Sequence, residues 1–531
     1  MCDCNQNEMK PNENQNKEQE VVILAPTPCC SNCIIVDPAN GCSVREGTNT
    51  IASGFASHAE GGSVGSDGPI ASGSFSHAEG NGTLASAPQS HAEGFRTQAT
   101  GADSHAEGFG TLASGGGSHA EGEETRAEGF VAHAEGFRTV AFTDYSHAEG
   151  FQTTANGNAA HAEGFNTFAL GPQSHAEGEI TVALGRSSHA EGGPIRNSAG
   201  EVILRTRAEG DFSHAEGRGT LASQIAAHAE GQGTRALGPQ SHAEGISSEA
   251  RGTASHAEGQ GTTAIGTASH SEGQGTTASG LYSHAEGQGT VASGARSHAE
   301  GLDTNASGLA GAHIMGRFGD ATHTYSWHLA NGTSSTNRSL AAKILNDGRG
   351  IADLGWRTGN ADYAELFETI DGKPMDVGYF VTLDGKKIRK ATTADDYILG
   401  IVSADPAILG DSGELRWKDK YVTDEWGRVQ YHDVVIPAEK DQDGNVIVPE
   451  HTEKQPILNP GWDDRREYIP RSERPEWVAV GLLGKLRVRD DGTCQVNRYC
   501  RPNNEGIATA SDKGYRVMER TGPNQVLVLL K

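Results

Sequence analysis

The sequence contains two sets of side chains whose types and spacing could do chemistry. The first is a histidine two places before a glutamate in the phrase Ser-His-Ala-Glu-Gly, which recurs mostly every 14 residues. An imidazole beside a carboxylate can form a hydrogen bond, exchange a proton or help to hold a metal ion. Among the 69 acidic residues, Asp362 and Glu365 form the second set, because they stand together in the motif Ala361-Asp362-Tyr363-Ala364-Glu365.

The acidic pair is suited to breaking a peptide bond. One carboxylate can attack the carbonyl carbon or activate a water molecule, while the other protonates the leaving nitrogen. Crowding two acids raises one pKa, which lets that group donate a proton. A spacing of three brings Asp362 and Glu365 together on a helix or tight turn but separates them on a flat strand. Partners from a neighbouring subunit, and a purely structural role, therefore both stay open.

The repeated phrase forms a ladder of seventeen histidine–glutamate pairs. Its rungs include His91, Glu93, His105, Glu107, His256 and Glu258. Nothing distinguishes one rung from the next, so catalysis by the ladder is not expected. We predict that stacked, hydrogen-bonded pairs satisfy the polar groups of a partly buried seam between subunits. The alternatives are metal binding and pairs that simply face solvent on the surface. We assign neither a metal nor a cofactor.

The period of the ladder predicts the elements that hold it. The repeat can be written S-H-A-E-G-x-x-T-x-A-x-G-x-x, and a fixed short period indicates a solenoid. Helix is excluded because frequent glycines cost about 1 kcal/mol each relative to alanine. Two short strands per period, each closed by a glycine turn, form one coil. Alanine and threonine then face inward, and so narrow an interior buries too little apolar area to stand without lateral partners.

Composition favours a thin repeat protein over a large globular core. The 531 residues are 35% hydrophobic and 6% aromatic, with 71 glycines, as expected of a solenoid. The net charge of −26 argues against nucleic acid and anionic membranes as partners. No apolar run is long enough for a membrane helix, and residues 1–20 lack the apolar segment of a secretory signal.

Residues 1–50 are predicted to form a disordered, cysteine-rich leader. They hold six of the eight cysteines, among them Cys29, Cys30 and Cys33. Reduced thiols and a zinc site are two readings of this cluster, although no second cysteine pair at finger spacing accompanies it. We prefer intermolecular disulfides that anchor the protein to a surface or fibre.

The repeat resembles the head repeat of trimeric autotransporter adhesins of the YadA type over residues 51–316. The resemblance rests on the 14-residue rung with x-A-x-G and on a second strand of small residues. It implies an all-β fold, a left-handed parallel β-roll or solenoid that assembles as a homotrimer. In that family the residues that flank the alanine are usually apolar and face the trimer axis. Here they are histidine and glutamate, so the seam would be ionisable.

After the repeat, residues 317–361 are interpreted as a connector and residues 362–531 as a β-rich domain, with strands expected at Trp477–Leu482 and Lys485–Val488. This region resembles the intramolecular chaperone autoprocessing domain of the peptidase G2 class. The matching motifs include Ala361-Asp362-Tyr363-Ala364-Glu365, Phe380-Val381-Thr382-Leu383-Asp384-Gly385 and Trp477-Val478-Ala479-Val480-Gly481. The resemblance implies a domain that helps a fibre to trimerise and then cuts itself off. The scissile bond would join Ala361 to Asp362, with Asp362 and Glu365 as the acidic pair.

Together these features predict a homotrimeric structural or adhesive surface fibre with a single-turnover, self-cleaving chaperone domain and no other substrate. Parallel pairing between distant residues is slow, so a folding template is useful. The expected location is a spore surface, exosporium or appendage tip. The alternative is a phage tail or neck fibre within a virion, and a diffusible hydrolase is a third hypothesis. The sequence does not identify a receptor or ligand.

Overall fold

The computed structural model describes residues 34–62, 68–413, 419–440, 446–448, 450–463, 465 and 467–531. The chain divides into two compact units, Met1–Gly350 (the repeat unit) and Ile351–Lys531 (the C-terminal unit). Within the described residues the only helical segments are two 3-10 turns, Pro38–Asn40 and Arg471–Glu473. This confirms the all-β prediction. No helix in the described part of the chain has the length and apolar character needed to cross a membrane.

Each 14-residue repeat contributes two strands to a parallel β-solenoid. The first strand starts at the ladder histidine, and neighbouring rungs pair in register, so that His105 aligns with both His91 and His119. The first strands are Ser43–Thr48, His58–Gly62, His77–Asn81, His91–Phe95, His105–Phe109, His119–Glu123, His133–Phe137, His147–Phe151, His161–Ala162, His175–Ala176, His189–Gly193, His214–Arg218, His228–Gln232, His242–Ala243, His256–Gln260, His270–Gln274, His284–Gln288, His298–Asn305, His313–Asp320 and Trp327–Asn331. The predicted solenoid is thereby confirmed.

The second strand of each coil is short and ends on an alanine. These strands are Ile51–Ala52, Ile70–Ala71, Leu84–Ala85, Gln98–Ala99, Leu112–Ala113, Arg126–Ala127, Val140–Ala141, Thr154–Ala155, Phe168–Ala169, Val182–Ala183, Arg207–Ala208, Leu221–Ala222, Arg235–Ala236, Glu249–Ala250, Thr263–Ala264, Thr277–Ala278 and Val291–Ala292. They also pair in parallel from rung to rung, as Leu112 does with Arg126. Each coil thus adds one strand to each of two parallel stacks of strands.

Small side chains fill the interior of the repeat unit. Ala106 and Ala113, one from each strand of a coil, are fully buried, as are their equivalents in most rungs. The buried Ser104 donates its hydroxyl to the carbonyl oxygen of Gly101 at 2.6 Å, and so closes the turn before the histidine. The predicted inward face of alanine and threonine is therefore correct, and each residue type of the phrase has a packing reason.

The glycine of the phrase is required by the neighbouring rung. Gly108 has φ +104, and a Cβ placed on it would lie 2.2 Å from the carbonyl oxygen of Gly122. Two residues later, the turn position is left-handed but open to solvent. That position holds Arg96 and Arg138 at φ 56 and 55, and Gly261 at φ 64. Only the first of these two positions excludes a side chain.

Antiparallel strands cover both ends of the parallel stack. Ile34–Asp37 pairs with Ser43–Thr48 at one end, and Leu340–Ile344 pairs with Trp327–Asn331 at the other. The stack therefore extends beyond residues 51–316 on both sides, because residues without the full phrase still supply extended strands in register. A further short strand is Gly350–Ala352.

The long insertion between rungs forms a small antiparallel hairpin. Its strands are Ile195–Arg196 and Val202–Leu204. The rungs on either side still pair directly, His189 with His214, so the insertion leaves the stack unbroken. A loop can be added to a solenoid in this way because each rung contacts only its neighbours.

The C-terminal unit is built on one ten-stranded, mainly antiparallel sheet. Its strands run in the spatial order Lys387–Lys390, Phe380–Asp384, Gly400–Val402, Trp477–Arg489, Gln525–Leu530, Tyr515–Gly522, Tyr499–Pro502 and Ala508–Ser511. Asp362–Glu368 also pairs with Trp477–Arg489, and Ile408–Gly410 pairs with Asp362–Glu368. Separate hairpin strands are Tyr431–Ile436 with His451–Pro456, and Glu439–Lys440 with Val446–Val448. The core includes Phe380, Ile401 and Val488. The two strands expected over 477–488 are one continuous strand.

Candidate functional site

The strand Asp362–Glu368 holds both predicted catalytic acids. It pairs antiparallel with Trp477–Arg489, from Asp362 opposite Gly484 to Glu368 opposite Trp477. It also pairs in parallel with Ile408–Gly410. Burial alternates along it, because successive side chains of a strand point to opposite faces.

Asp362 lies on the buried face and has defined partners. It is 7% exposed, and its Oδ2 accepts a hydrogen bond from Ser403 Oγ at 2.7 Å. Its backbone carbonyl accepts a second hydrogen bond, from Ala407 N at 2.9 Å. A buried carboxylate needs such donors, because an unpaired charge is costly away from water.

The two residues before Asp362 are also fixed by hydrogen bonds. Lys485 N donates to the Ala361 carbonyl oxygen at 3.4 Å. Asn360 Nδ2 donates to the carbonyl and the Oδ2 of Asp405, at 2.9 and 2.8 Å. The peptide bond predicted to be cut is therefore fixed on both sides by hydrogen bonds.

Gly484 allows the close approach of backbone to that bond. Its φ is +115, and a Cβ built on it would lie 2.2 Å from the Ala361 carbonyl oxygen and 2.9 Å from the Cα of Asp362. A glycine inside a strand often marks such an approach. It was the one sequence signal that could have located this contact. The roles of Ser403, Asp405 and Asn360 depend on distant pairings and have no local signature.

Glu365 lies on the other face of the strand. It is half-buried, and Tyr363 donates its hydroxyl to Glu365 Oε1 at 2.6 Å. This hydrogen bond raises the pKa of Tyr363. The two acids predicted as a pair are not brought together within one chain, because the segment is a strand and an odd spacing sends its side chains to opposite faces. A joint role for them requires a second chain.

A pocket of about 680 Å³ opens beside the Ala361–Asp362 bond. Its lining includes Asp362, Ser403 and the basic residues Lys485, Arg487 and Arg489. Such a pocket has room for water beside the bond. The Arg489 guanidinium is already paired with Asp376 and the Val377 carbonyl oxygen.

The histidine–glutamate ladder forms a second candidate site, on the outer wall of the repeat unit. Neighbouring imidazole rings stack with centroids 4.5 to 5.0 Å apart, from His58 to His313. Each ladder histidine is half-buried, and so is its glutamate. Burial, and then the neighbouring histidines, hold the pKa of His91 below its usual value. The predicted seam residues therefore form one continuous face, and whether a second subunit covers it stays a prediction.

The predicted anchoring cysteines, Cys29, Cys30 and Cys33, lie outside the described residues. Among the residues that the structure does describe, Cys42 is exposed, Cys494 and Cys500 are buried, and none of the three forms a disulfide with another. The anchoring prediction is untested.

The fold and the fixed peptide bond define a class of protein. In it a parallel β-solenoid is followed by a β-domain, and a strand of that domain begins at Asp362, next to the bond predicted to be cut. Residues 327–525 match Peptidase G2, the IMC autoproteolytic cleavage domain. Residues 148–174, 162–188 and 257–283 match the YadA head domain repeat. The chain therefore carries YadA-type head repeats and a peptidase G2 domain, which confirms both resemblances.

Curated relatives include appendage proteins of Bacillus phages and the putative phage-related protein YobO of Bacillus subtilis, which is 34% identical over 162 residues, 30% of this chain and 19% of that protein. The pre-neck appendage protein of Bacillus phage B103 is 39% identical over 163 residues, 31% of this chain and 17% of that protein. The pre-neck appendage protein of Bacillus phage phi29 is 34% identical over 163 residues, again 31% and 17%. The chain thus spans less than a fifth of the length of these relatives. A crystal structure of the phi29 gene product 12 C-terminal fragment is 33% identical, covers 32% of this chain and 100% of the fragment, and has a TM-score of 0.27.

Proposed function

We propose that this chain is a trimeric fibre subunit of a phage appendage, and that its C-terminal unit cuts the chain before Asp362. The observation that carries the proposal is the fixed Ala361–Asp362 bond inside a domain that matches an autoproteolytic family. The pre-neck appendage relatives favour a virion over the spore surface that we expected from the leader. Anchoring through Cys29, Cys30 and Cys33 would serve an appendage equally well.

The cleavage is a hydrolysis in which Asp362 acts at the bond before it. Its carboxylate activates a water molecule that attacks the Ala361 carbonyl carbon, while the backbone N–H of Lys485 donates to the carbonyl oxygen. The carbon–nitrogen bond then breaks, and the nitrogen of Asp362 takes up a proton from a second acid. We assign that acid to Glu365 of a neighbouring chain, because Glu365 of the same chain lies on the opposite face of the strand.

This arrangement links cleavage to assembly. If the second acid comes from another subunit, the bond is cut only after the chains have come together. The solenoid interior is filled by alanine and small polar groups, so a single chain buries little apolar area and gains from lateral contacts. The ladder face of histidine and glutamate is our candidate for the seam. The domain would act once on each chain and on no other substrate.

Intact-mass analysis of the purified protein tests the proposal. Wild type should yield fragments of residues 1–361 and 362–531, whereas Asp362→Asn and Glu365→Gln should stay whole. Glu368→Gln is the matched control, because Glu368 lies on the same strand and contacts Lys387 instead. A wild-type chain that stays whole after assembly, or a cut at another bond, would refute the assignment.

Mixing separates cleavage within a chain from cleavage between chains. Asp362→Asn and Glu365→Gln chains are refolded together, with one of the two carrying a mass label. If Glu365 acts across a subunit boundary, the Glu365→Gln chain should be cut at its intact Asp362 by a Glu365 from its partner. Absence of cutting in the mixed trimers would assign both acids to one chain.

A further inference from the structure

The ladder divides into two blocks with different hydrogen bonding. In the second block, His189 to His298, seven of eight histidines place Nε2 2.9 to 3.3 Å from a glutamate Oε1. In the first block, His58 to His175, the nine Nε2 atoms are shielded from solvent and have no hydrogen-bond partner. Their nearest ladder carboxylate oxygens, where within 4 Å, lie 3.4 to 4.0 Å away. A buried polar atom without a partner is costly, so the hydrogen bonding of the first block is incomplete.

The glutamates of the first block form a continuous column of like side chains. Parallel in-register pairing stacks like carboxylates along the solenoid, Glu93 beside Glu107. A groove of about 700 Å³ runs along this carboxylate column, lined by Glu79 to Glu135 of successive rungs and by the adjacent glycines. The groove coincides with rungs whose histidines are unpartnered.

We propose that the first block of the ladder binds divalent first-row transition-metal ions along this groove. Each ion would take two neighbouring histidines and the glutamate between them, as in His77–Glu79–His91 and His91–Glu93–His105. The ligand atoms of each set lie within 4.8 Å of one another. Rotation of the half-exposed side chains would bring them to the 2.0–2.2 Å of a metal bond.

The donor set determines which ions fit. Imidazole nitrogen with one carboxylate suits Zn²⁺, Co²⁺ or Ni²⁺, whereas Ca²⁺ and Mg²⁺ prefer oxygen ligands alone. A metal binds the unprotonated imidazole nitrogen, and in the first block that nitrogen has no hydrogen-bond partner. In the second block the same nitrogen is already engaged by a carboxylate, so an ion would first have to break that hydrogen bond. The first block is therefore the preferred site.

Titration of the assembled protein with Co²⁺ tests the proposal. Co²⁺ reports its ligands by visible absorption, and calorimetry gives the number bound. Nine histidines at two per ion hold about four ions in each chain. His77→Gln/His91→Gln/His105→Gln leaves five neighbouring histidines, and should lower the number to about two. The matched control, His256→Gln/His270→Gln/His284→Gln, should leave it unchanged.

Two results would overturn the proposal. Wild type that takes up no Co²⁺ would show that the free nitrogens are satisfied otherwise, for example by a neighbouring subunit. An equal loss in both triple variants would show binding without preference for the first block. If the first variant fails to assemble, Glu60→Gln/Glu79→Gln/Glu93→Gln/Glu107→Gln removes every carboxylate between His58 and His119 and keeps the stacked rings. It leaves five neighbouring histidines with their glutamates, and should also lower the number to about two.

Discussion

Replacing the glycine of the repeated phrase should be far more costly than replacing the glycine two residues later. Gly259 has φ +102, and a Cβ on it would lie 2.2 Å from the carbonyl oxygen of Gly273 in the next rung. Gly261 has φ +64 with nothing within 4 Å of its Cβ. Gly259→Ala and Gly261→Ala are therefore the same chemical change in two different surroundings.

The structure sets the size of the difference. To reach an ordinary contact, Gly259→Ala must move the rungs apart by about 1 Å, against a strand spacing of about 4.8 Å. Backbone strain of about 1–3 kcal/mol and two weakened hydrogen bonds of about 1 kcal/mol each give about 3–5 kcal/mol. Gly261→Ala costs about 1 kcal/mol, the penalty for a left-handed alanine, at a position where other rungs carry Arg96 and Arg138.

Hydrogen exchange of the two rungs is the assay, because a solenoid opens locally and a global melting temperature averages over many rungs. A difference of about 3 kcal/mol corresponds to about a 100-fold change in the local opening constant. Peptides that cover residues 256–288 should exchange that much faster in Gly259→Ala than in Gly261→Ala. Equal exchange in the two variants would mean that the left-handed backbone alone sets the cost, and the contact with the next rung would have to be abandoned as the reason.

Three further predictions concern the remaining titratable and polar groups. Ser403→Ala should slow self-cleavage at Asp362 about tenfold, because the buried carboxylate loses its hydroxyl donor; Ser403→Thr should restore the rate on a gel time course, and an unaffected alanine variant would contradict this. The repeat unit should lose stability as the pH falls below about 6.5, the ordinary histidine pKa. Folded ladder histidines have lowered pKa values, so the unfolded chain then binds more protons; melting curves that coincide from pH 8 to pH 5 would argue against it. Cys494 and Cys500 should resist iodoacetamide in the native protein, because the contact with Cys500 and burial raise the pKa of Cys494 and the thiolate is the reactive form. Among the three cysteines that the structure describes, mass spectrometry should find label on the exposed Cys42 before Cys494 and Cys500.

The sequence predicted the repeat unit well because its structure is local. A 14-residue period with two alanines specifies the coil, and Ala106 and Ala113 are buried as expected. The division of the ladder into two blocks was not predictable, since His91 and His256 stand in nearly identical phrases. The nearest glutamate oxygen nonetheless lies 3.7 Å from His91 Nε2 and 3.0 Å from His256 Nε2.

The cleavage junction was only partly predictable. Motif resemblance located Ala361 and Asp362, yet the residues that hold them come from 41 and more positions away. Ser403 and Lys485 reach the junction through sheet pairing, which no local pattern encodes. The relation of Glu365 to Asp362 depended on whether the segment was a turn or a strand, and the strand Asp362–Glu368 separates them.

The antiparallel strands at the two ends of the stack fix where the repeat unit begins and ends, so the number of rungs between them sets its length. A parallel stack with bare edges could pair with another copy and grow without limit. Here Ile34–Asp37 and Leu340–Ile344 occupy the two edges, so the length of the stack depends on how many rungs lie between them. Every added or deleted 14-residue unit would change that length by about 4.8 Å while leaving both ends intact. Gain and loss of whole repeats is thus a direct route to repeat units of different length.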